Sequence, residues 1–80
     1  MIEIKITEPA DVCVQELIRI RSDIERGHYD NIDLIVEANV TWPDQEPDFI
    51  DNITKPTVLG IDYMIRDIIL ILMKKAGKEC

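Results

Sequence analysis

Isoleucine alternates with charged residues at the start of the chain. In residues 1–7, MIEIKIT, isoleucine occupies the even positions after Met, and the odd positions include Glu3 and Lys5. A period of two predicts a β-strand with one buried face. The alternation recurs in residues 32–42, IDLIVEANVTW, whose even positions are all apolar. These residues predict a second, longer strand.

Between the two strands, apolar residues recur at helical spacing. Intervals of four, three and four positions are typical of one face of an amphipathic helix. The residues at these intervals are Cys13, Leu17, Ile20 and Ile24. Proline is favoured in the first helical turn and glycine just past the last turn. The sequence therefore predicts a helix that begins at Pro9 and ends at Gly27.

Residues 43–56, PDQEPDFIDNITKP, hold three of the four prolines and form the natural break in the chain. Within this segment Pro47 predicts the start of a short helical turn. The residues expected to face inward from that turn are Phe49, Ile50 and Ile53. A last helix is expected to follow, with Thr54 or Thr57 as its cap and Gly77 as its stop.

The last helix carries apolar residues on several sides when it is drawn as a wheel with about 100° per residue. One arc is expected to cover the sheet and comprises Val58, Ile61, Ile65, Ile68, Ile69 and Leu72. A second line, with intervals of four, three, four and three, comprises Leu59, Tyr63, Arg66, Leu70 and Met73. A third patch comprises Met64 and Ile71.

A helix that is apolar all round is normally buried on all sides. A membrane span needs ~20 mostly apolar residues, and Asp62, Arg66 and Asp67 interrupt this helix. Two strands and one other helix offer little material to cover it. We therefore expect a homo-oligomer, most simply a dimer, formed through this helix, through a strand edge, or through both. The predicted oligomer interface is Leu59, Tyr63, Arg66, Leu70, Ile71 and Met73.

These elements predict one α+β domain that spans residues 1–80. Its order is β-α-β-α, with a two-stranded sheet packed by two helices, and the sheet could continue across an oligomer. We expect no signal peptide, because the N-terminus lacks a basic region followed by an apolar stretch. Cys13 and Cys80 do not form the dense disulfide framework of a small secreted domain. The expected location is the cytoplasm.

Acidic residues outnumber basic ones by 16 to nine, which gives a net charge of −7. Residues 31–56 carry six acidic side chains and one basic side chain, whereas residues 57–80 have a balance of +1. Direct binding to nucleic acid is not expected, because it needs Lys and Arg to replace the counterions of phosphates. An acidic region fits a basic protein surface, and it also simply keeps a small domain soluble.

The acidic segment after the second strand is the best candidate contact surface. Interfaces favour buried aromatic residues at the centre and use charge for steering. The predicted partner-binding residues are Trp42, Asp44, Glu46, Asp48, Phe49 and Asp51. The alternative is that the two aromatic residues belong to the core and that the carboxylates are merely solvated.

Residues that could carry catalysis or bind a metal are scarce. The single histidine, His28, lies in a predicted turn, where surface and capping roles are commoner than catalysis. The acidic segment resembles a calcium loop only superficially, because it lacks the glycine at the sixth position and has Lys55 at the twelfth. We expect no enzyme activity, no metal and no cofactor.

Two functions follow from these patterns. The first is a small acidic binding or inhibitor protein that self-associates and contacts a basic surface of another protein. In its sharper form it would mimic nucleic acid, as small phage-type inhibitors do. The alternative is a protein that binds or sequesters an anionic small molecule between subunits. The residues expected to contact that anion are Arg19, Tyr63 and Arg66.

Overall fold

The computed structural model describes residues 2–28, 34–42, 45–54 and 56–78, which form three strands and two helices. In chain order they are β1 (Ile2–Pro9), α1 (Ala10–Glu25), β2 (Leu34–Trp42), β3 (Gln45–Thr54) and α2 (Val58–Lys78). The predicted α+β class is confirmed. Within these ranges, no helix has the length and apolar character needed to cross a membrane.

The sheet has the order β1-β2-β3, with β2 in the centre. β1 pairs parallel to β2, from Ile2 opposite Leu34 to Pro9 opposite Thr41, and β3 pairs antiparallel to β2. The even positions of β2 from Leu34 to Val40 are buried, whereas its odd positions and Trp42 are half-buried. The buried strand residues join buried residues of both helices in one hydrophobic cluster. Both helices therefore cover the same face of the sheet.

The predicted two-stranded sheet is wrong, because the segment predicted to hold a short helical turn at Pro47 forms β3. Proline removes a ladder hydrogen bond and is tolerated mainly on edge strands, and β3 is an edge strand. The apolar pattern is also misleading here. Ile50 and Ile53 both pack against the core although they are three positions apart, an interval that predicts a helix.

Irregular pairing between β2 and β3 explains that interval. Ala38 lies opposite Asp51, but the next residue, Asn39, lies opposite Phe49. Ile50 is therefore an extra residue in β3, as in a β-bulge. A second shift occurs between Val40 and Trp42 of β2. Each shift breaks the period of two by which a strand is recognised in a sequence.

The C-terminal end of α1 follows the predicted glycine signal, whereas the helix begins one residue later than predicted. Pro9 is the N-cap residue, and the helix begins at Ala10. At the other end Gly27 has φ of 75°, a left-handed conformation that glycine adopts at little cost. The Gly27 amide donates to the Ile24 carbonyl at 3.1 Å, and the His28 amide donates to the Asp23 carbonyl at 2.9 Å. This pair of hydrogen bonds is a Schellman motif.

The N-terminus of α2 is capped by Thr57 rather than by Thr54. The Gly60 amide donates to Thr57 Oγ1 at 3.1 Å, which satisfies one of the free amides of the first turn. The predicted stop at Gly77 is wrong, because α2 extends to Lys78. Glycine disfavours a helix by only about 1 kcal/mol relative to alanine, so it does not end a helix by itself.

The face of α2 that enters the core differs from the predicted arc. Ile61, Met64 and Ile68 are fully buried, whereas Ile69 and Leu72, expected in the core, are 43% and 38% exposed. The assignment of Met64 to a separate patch was wrong for the same reason. A helix with apolar residues on every side does not define which side faces its own sheet.

Candidate functional site

One outward line of α2 is mostly apolar and is exposed in the described chain. Its members follow the intervals four, three, four and three, and we call them the α2 seam: Leu59, Tyr63, Arg66, Leu70 and Met73. Leu59 and Met73 are 62% and 64% exposed, and Tyr63 and Leu70 are 53% and 50% exposed. Arg66 is also exposed. Five of the six residues predicted to form an oligomer interface therefore lie at the surface of a single chain.

Burial of α2 ends well before the helix does. Ile68 is the last fully buried residue of α2, and beyond it only Ile71 and Lys75 are half-buried among the described side chains. Ile69 and Leu72 are exposed beside the α2 seam. The second half of α2 thus presents several large apolar side chains that this chain's own sheet does not cover.

Ile71, the sixth predicted interface residue, lines an open groove between β3 and α2. The groove has a volume of ≈ 310 Å³ and is lined by Ile50, Asp67, Leu70, Ile71 and Lys74. Leu70 belongs to both the groove and the α2 seam. The groove is therefore continuous with the exposed apolar surface rather than a separate site.

The predicted acidic contact surface is only partly described. Trp42 is half-buried and packs against the core. Asp44 lies outside the described residues. Glu46, Asp48, Phe49 and Asp51 belong to β3, but their side chains lie outside the described part of the chain. The position of Trp42 agrees with the alternative in which it supports the fold.

The three residues predicted to bind an anion lie on different parts of the surface. Arg19 donates to Glu16 at 2.6 Å and lines a groove beside β1, whereas Tyr63 and Arg66 are in the α2 seam. One chain therefore does not bring these three side chains together. We find no support for the anion site within a single subunit.

The arginine that joins the two helices is Arg21, which the sequence pattern did not single out. Arg21 Nη1 donates to Asp62 Oδ1 at 2.7 Å, across 41 positions of sequence. This hydrogen bond and the charge of Asp62 raise the pKa of Arg21. Both side chains are more than one-third exposed. Solvent therefore screens the ion pair, which contributes little to stability and serves mainly to link α1 to α2.

Among the described residues, His28 and Cys13 lie at opposite ends of α1. His28 is exposed, and its Nδ1 lies 3.7 Å from Asp23 Oδ1. Cys13 is buried, and its Sγ lies 3.2 Å from the Glu8 carbonyl oxygen. Burial raises the pKa of the Cys13 thiol, which disfavours the reactive thiolate. Within the described ranges, His, Cys, Asp and Glu form no cluster of three or more able to hold a metal ion.

The side of β1 that faces no described strand is a second candidate contact surface. The predicted two-stranded sheet made both strands edge strands, and in the observed order β1-β2-β3 only β1 of those two remains at an edge. A groove of ≈ 290 Å³ runs between this edge and α1. Its lining includes Ile4 and Ile6 of β1 together with Val12, Glu16 and Arg19 of α1.

Comparison with protein-family models, curated proteins and solved structures gives no match. The two candidate surfaces, the α2 seam and the edge of β1, both suit contacts with another protein. Neither surface brings together a nucleophile and a base at hydrogen-bonding distance, which nucleophilic catalysis requires.

Proposed function

We propose that the protein is a small acidic, non-enzymatic binding module that self-associates through the α2 seam and contacts a basic surface of another protein. The observation that supports this proposal best is the α2 seam. Monomeric proteins rarely expose large contiguous apolar patches, and such patches commonly mark interaction sites. Four large side chains at least half exposed on one helix line form such a patch.

The spacing of the seam indicates what covers it. Intervals of four and three repeat every seven residues, which is the pattern of a seam that packs against another helix. The 21 residues of α2 span about 31 Å, long enough for two heptads of such packing. A second copy of α2 supplies a helix with the same spacing.

An antiparallel pair of α2 helices gives matched contacts for four of the five seam residues in one register. When Leu59 lies opposite the partner's Leu70, Tyr63 lies opposite the partner's Arg66. The two leucines bury apolar surface, and the guanidinium can stack on the tyrosine ring, where a cation–π contact is favourable. A twofold axis repeats each contact, as expected for an isologous dimer. The single charged residue of the seam thus gains a partner.

The charge distribution supports a basic partner. Residues 31–56 carry five more acidic than basic side chains, and most of these acids belong to β3 or the segment before it. β3 is an edge strand, so one of its sides is not covered by the sheet. A negative region at the margin of a small module can steer association with a positively charged protein.

Replacing Leu70 and Met73 by Asp tests self-association. Because both side chains are at least half exposed, the substitutions should leave the fold intact. Charges in an apolar interface are costly unless they are paired, so sedimentation velocity should show a smaller assembly than the wild type at equal concentration. The control is Gln15→Glu with Ala76→Asp, which adds equal charge at exposed positions outside the seam. A wild-type mass for the Leu70→Asp, Met73→Asp variant would exclude the α2 seam as an interface.

A further inference from the structure

β1 has a paired neighbour on one side only. In the order β1-β2-β3, its other side faces no strand of the described chain. Backbone amides and carbonyls at alternate positions along that side are available to another strand. An exposed strand edge pairs readily with an additional strand unless its side chains oppose the pairing.

The side chains beside this edge leave an apolar surface incomplete. Ile6 is 5% exposed, but Ile2, at the other end of the same face, is 50% exposed. Ile4 lies between them and is half-buried. Ile4 and Ile6 line the groove between β1 and α1, and Ile2 lies on the same face of the strand. An added strand with apolar residues at the matching positions would therefore extend the core.

We propose that a second copy of this chain pairs with this edge, with β1 antiparallel to the partner's β1 about a twofold axis at Ile4. Ile4 then lies opposite the partner's Ile4, and Ile2 lies opposite the partner's Ile6. On the other face, Glu3 lies opposite the partner's Lys5, and Lys5 lies opposite the partner's Glu3. The two sheets become one six-stranded sheet.

The charges of Glu3 and Lys5 favour this register over the two adjacent registers. A shift that keeps the isoleucines on one face moves the twofold axis by one residue. An axis at Glu3 places two glutamates opposite each other, and an axis at Lys5 places two lysines opposite each other. Like charges opposite each other are destabilising, and opposite charges are favourable. Within one chain Lys5 Nζ already lies 3.3 Å from Glu3 Oε1, so both charges are on the same face and within reach of a neighbouring strand.

The pairing between the two β1 strands is expected to end before Pro9. Pro9 has no amide hydrogen and cannot donate to a ladder, which disfavours a longer pairing at that end. The predicted contact involves residues 2–6 of each chain, well apart in sequence from the α2 seam. It is thus an interface additional to the one in the proposed function, and each can be removed without the other.

A charge exchange tests the register. The host is the Leu70→Asp, Met73→Asp variant, so that the β1 contact is observed without the α2 seam. In this host, Glu3→Lys alone and Lys5→Glu alone each convert two attractive pairs into two repulsive ones. We expect each to weaken the dimer roughly tenfold to a hundredfold, as measured by sedimentation velocity over a concentration series at low ionic strength.

Mixing the two charge variants supplies the decisive result. The Glu3→Lys chain carries two lysines and the Lys5→Glu chain two glutamates, so an equimolar mixture should recover dimers at the host's concentration. Neither chain keeps its internal Lys5–Glu3 pair, so a folding effect cannot produce this recovery. Glu25→Lys, an equal charge change at an exposed site of α1, should leave the host dimer unchanged.

Two outcomes overturn the proposal. One is a host that is monomeric at all concentrations, and the other is a mixture that stays as weakly associated as its components. If the α2 seam is not an interface, the wild type and the host variant will have equal masses. That result is distinct from a monomeric host. Pairing of the edge with another protein's strand in place of a second copy would likewise appear as a monomeric host.

Discussion

Lys75 near the end of α2 lies over the ring of Trp42 at the end of β2, with Nζ 4.5 Å from the ring centroid. This distance is within the range of a cation–π contact. The contact joins the exposed half of α2 to the central strand beyond the last fully buried residue, Ile68. It also gives Trp42 a structural role within this chain, whereas the sequence predicted that Trp42 contacts a partner.

Lys75→Met should therefore destabilise the protein by about 0.5–1 kcal/mol, since the ammonium is lost and most of the aliphatic side chain is kept. Trp42 is the single tryptophan, so its fluorescence reports unfolding in urea directly. Lys74→Met, at an adjacent exposed position, should change the midpoint less. Equal midpoints for the two variants would show that the Lys75 contact contributes nothing measurable.

The glycines near the C-terminal ends of α1 and α2 differ in conformation, and alanine substitutions should have opposite effects on stability. Gly27→Ala places a Cβ at φ of 75° and should cost about 1–2 kcal/mol. Gly77 lies within α2, and no atom would lie within 4 Å of an added Cβ. Gly77→Ala should stabilise the helix by roughly 0.5 kcal/mol. Thermal unfolding followed by circular dichroism should give shifts of opposite sign, and shifts of the same sign would contradict the assignment of the left-handed cap.

Elements with a regular period were predictable from the sequence, and β3 was not. β1, α1 and β2 each bury one face, so their apolar residues keep a period of two or about 3.6. In β3 the pairing shift at Ile50 and the presence of Pro47 remove that regularity. Local spacing alone could not distinguish a bulged edge strand from a helical turn, because the difference depends on pairing with Asn39 and its neighbours.

The α2 seam illustrates the same limit at the level of the site. Intervals of four and three separated Leu59 and Leu70 from the core correctly, because those residues lie opposite the buried Ile61 and Ile68. Met64, which was predicted to lie outside the core, is buried, and Ile69, which was predicted to lie in the core, is exposed. Both residues flank the buried face, so their burial depends on how α2 is rotated against the sheet. Strand order is likewise a tertiary property: the sequence predicted association through a strand edge, but only the fold shows that β2 is central and that β1 lies at an edge.

Neutralising the acidic segment tests the proposed basic partner. The test variant combines Asp44→Asn, Glu46→Gln, Asp48→Asn and Asp51→Asn. The control removes the same charge from exposed sites elsewhere, by Glu8→Gln, Asp11→Asn, Glu25→Gln and Asp67→Asn. With poly-lysine as the basic probe, titration calorimetry at low ionic strength should show weaker binding for the test variant than for the control. The charges nearest the probe contribute most to the attraction, because salt screens more distant ones. Equal binding by the two variants would assign the attraction to net charge alone and remove the acidic segment as a specific contact surface.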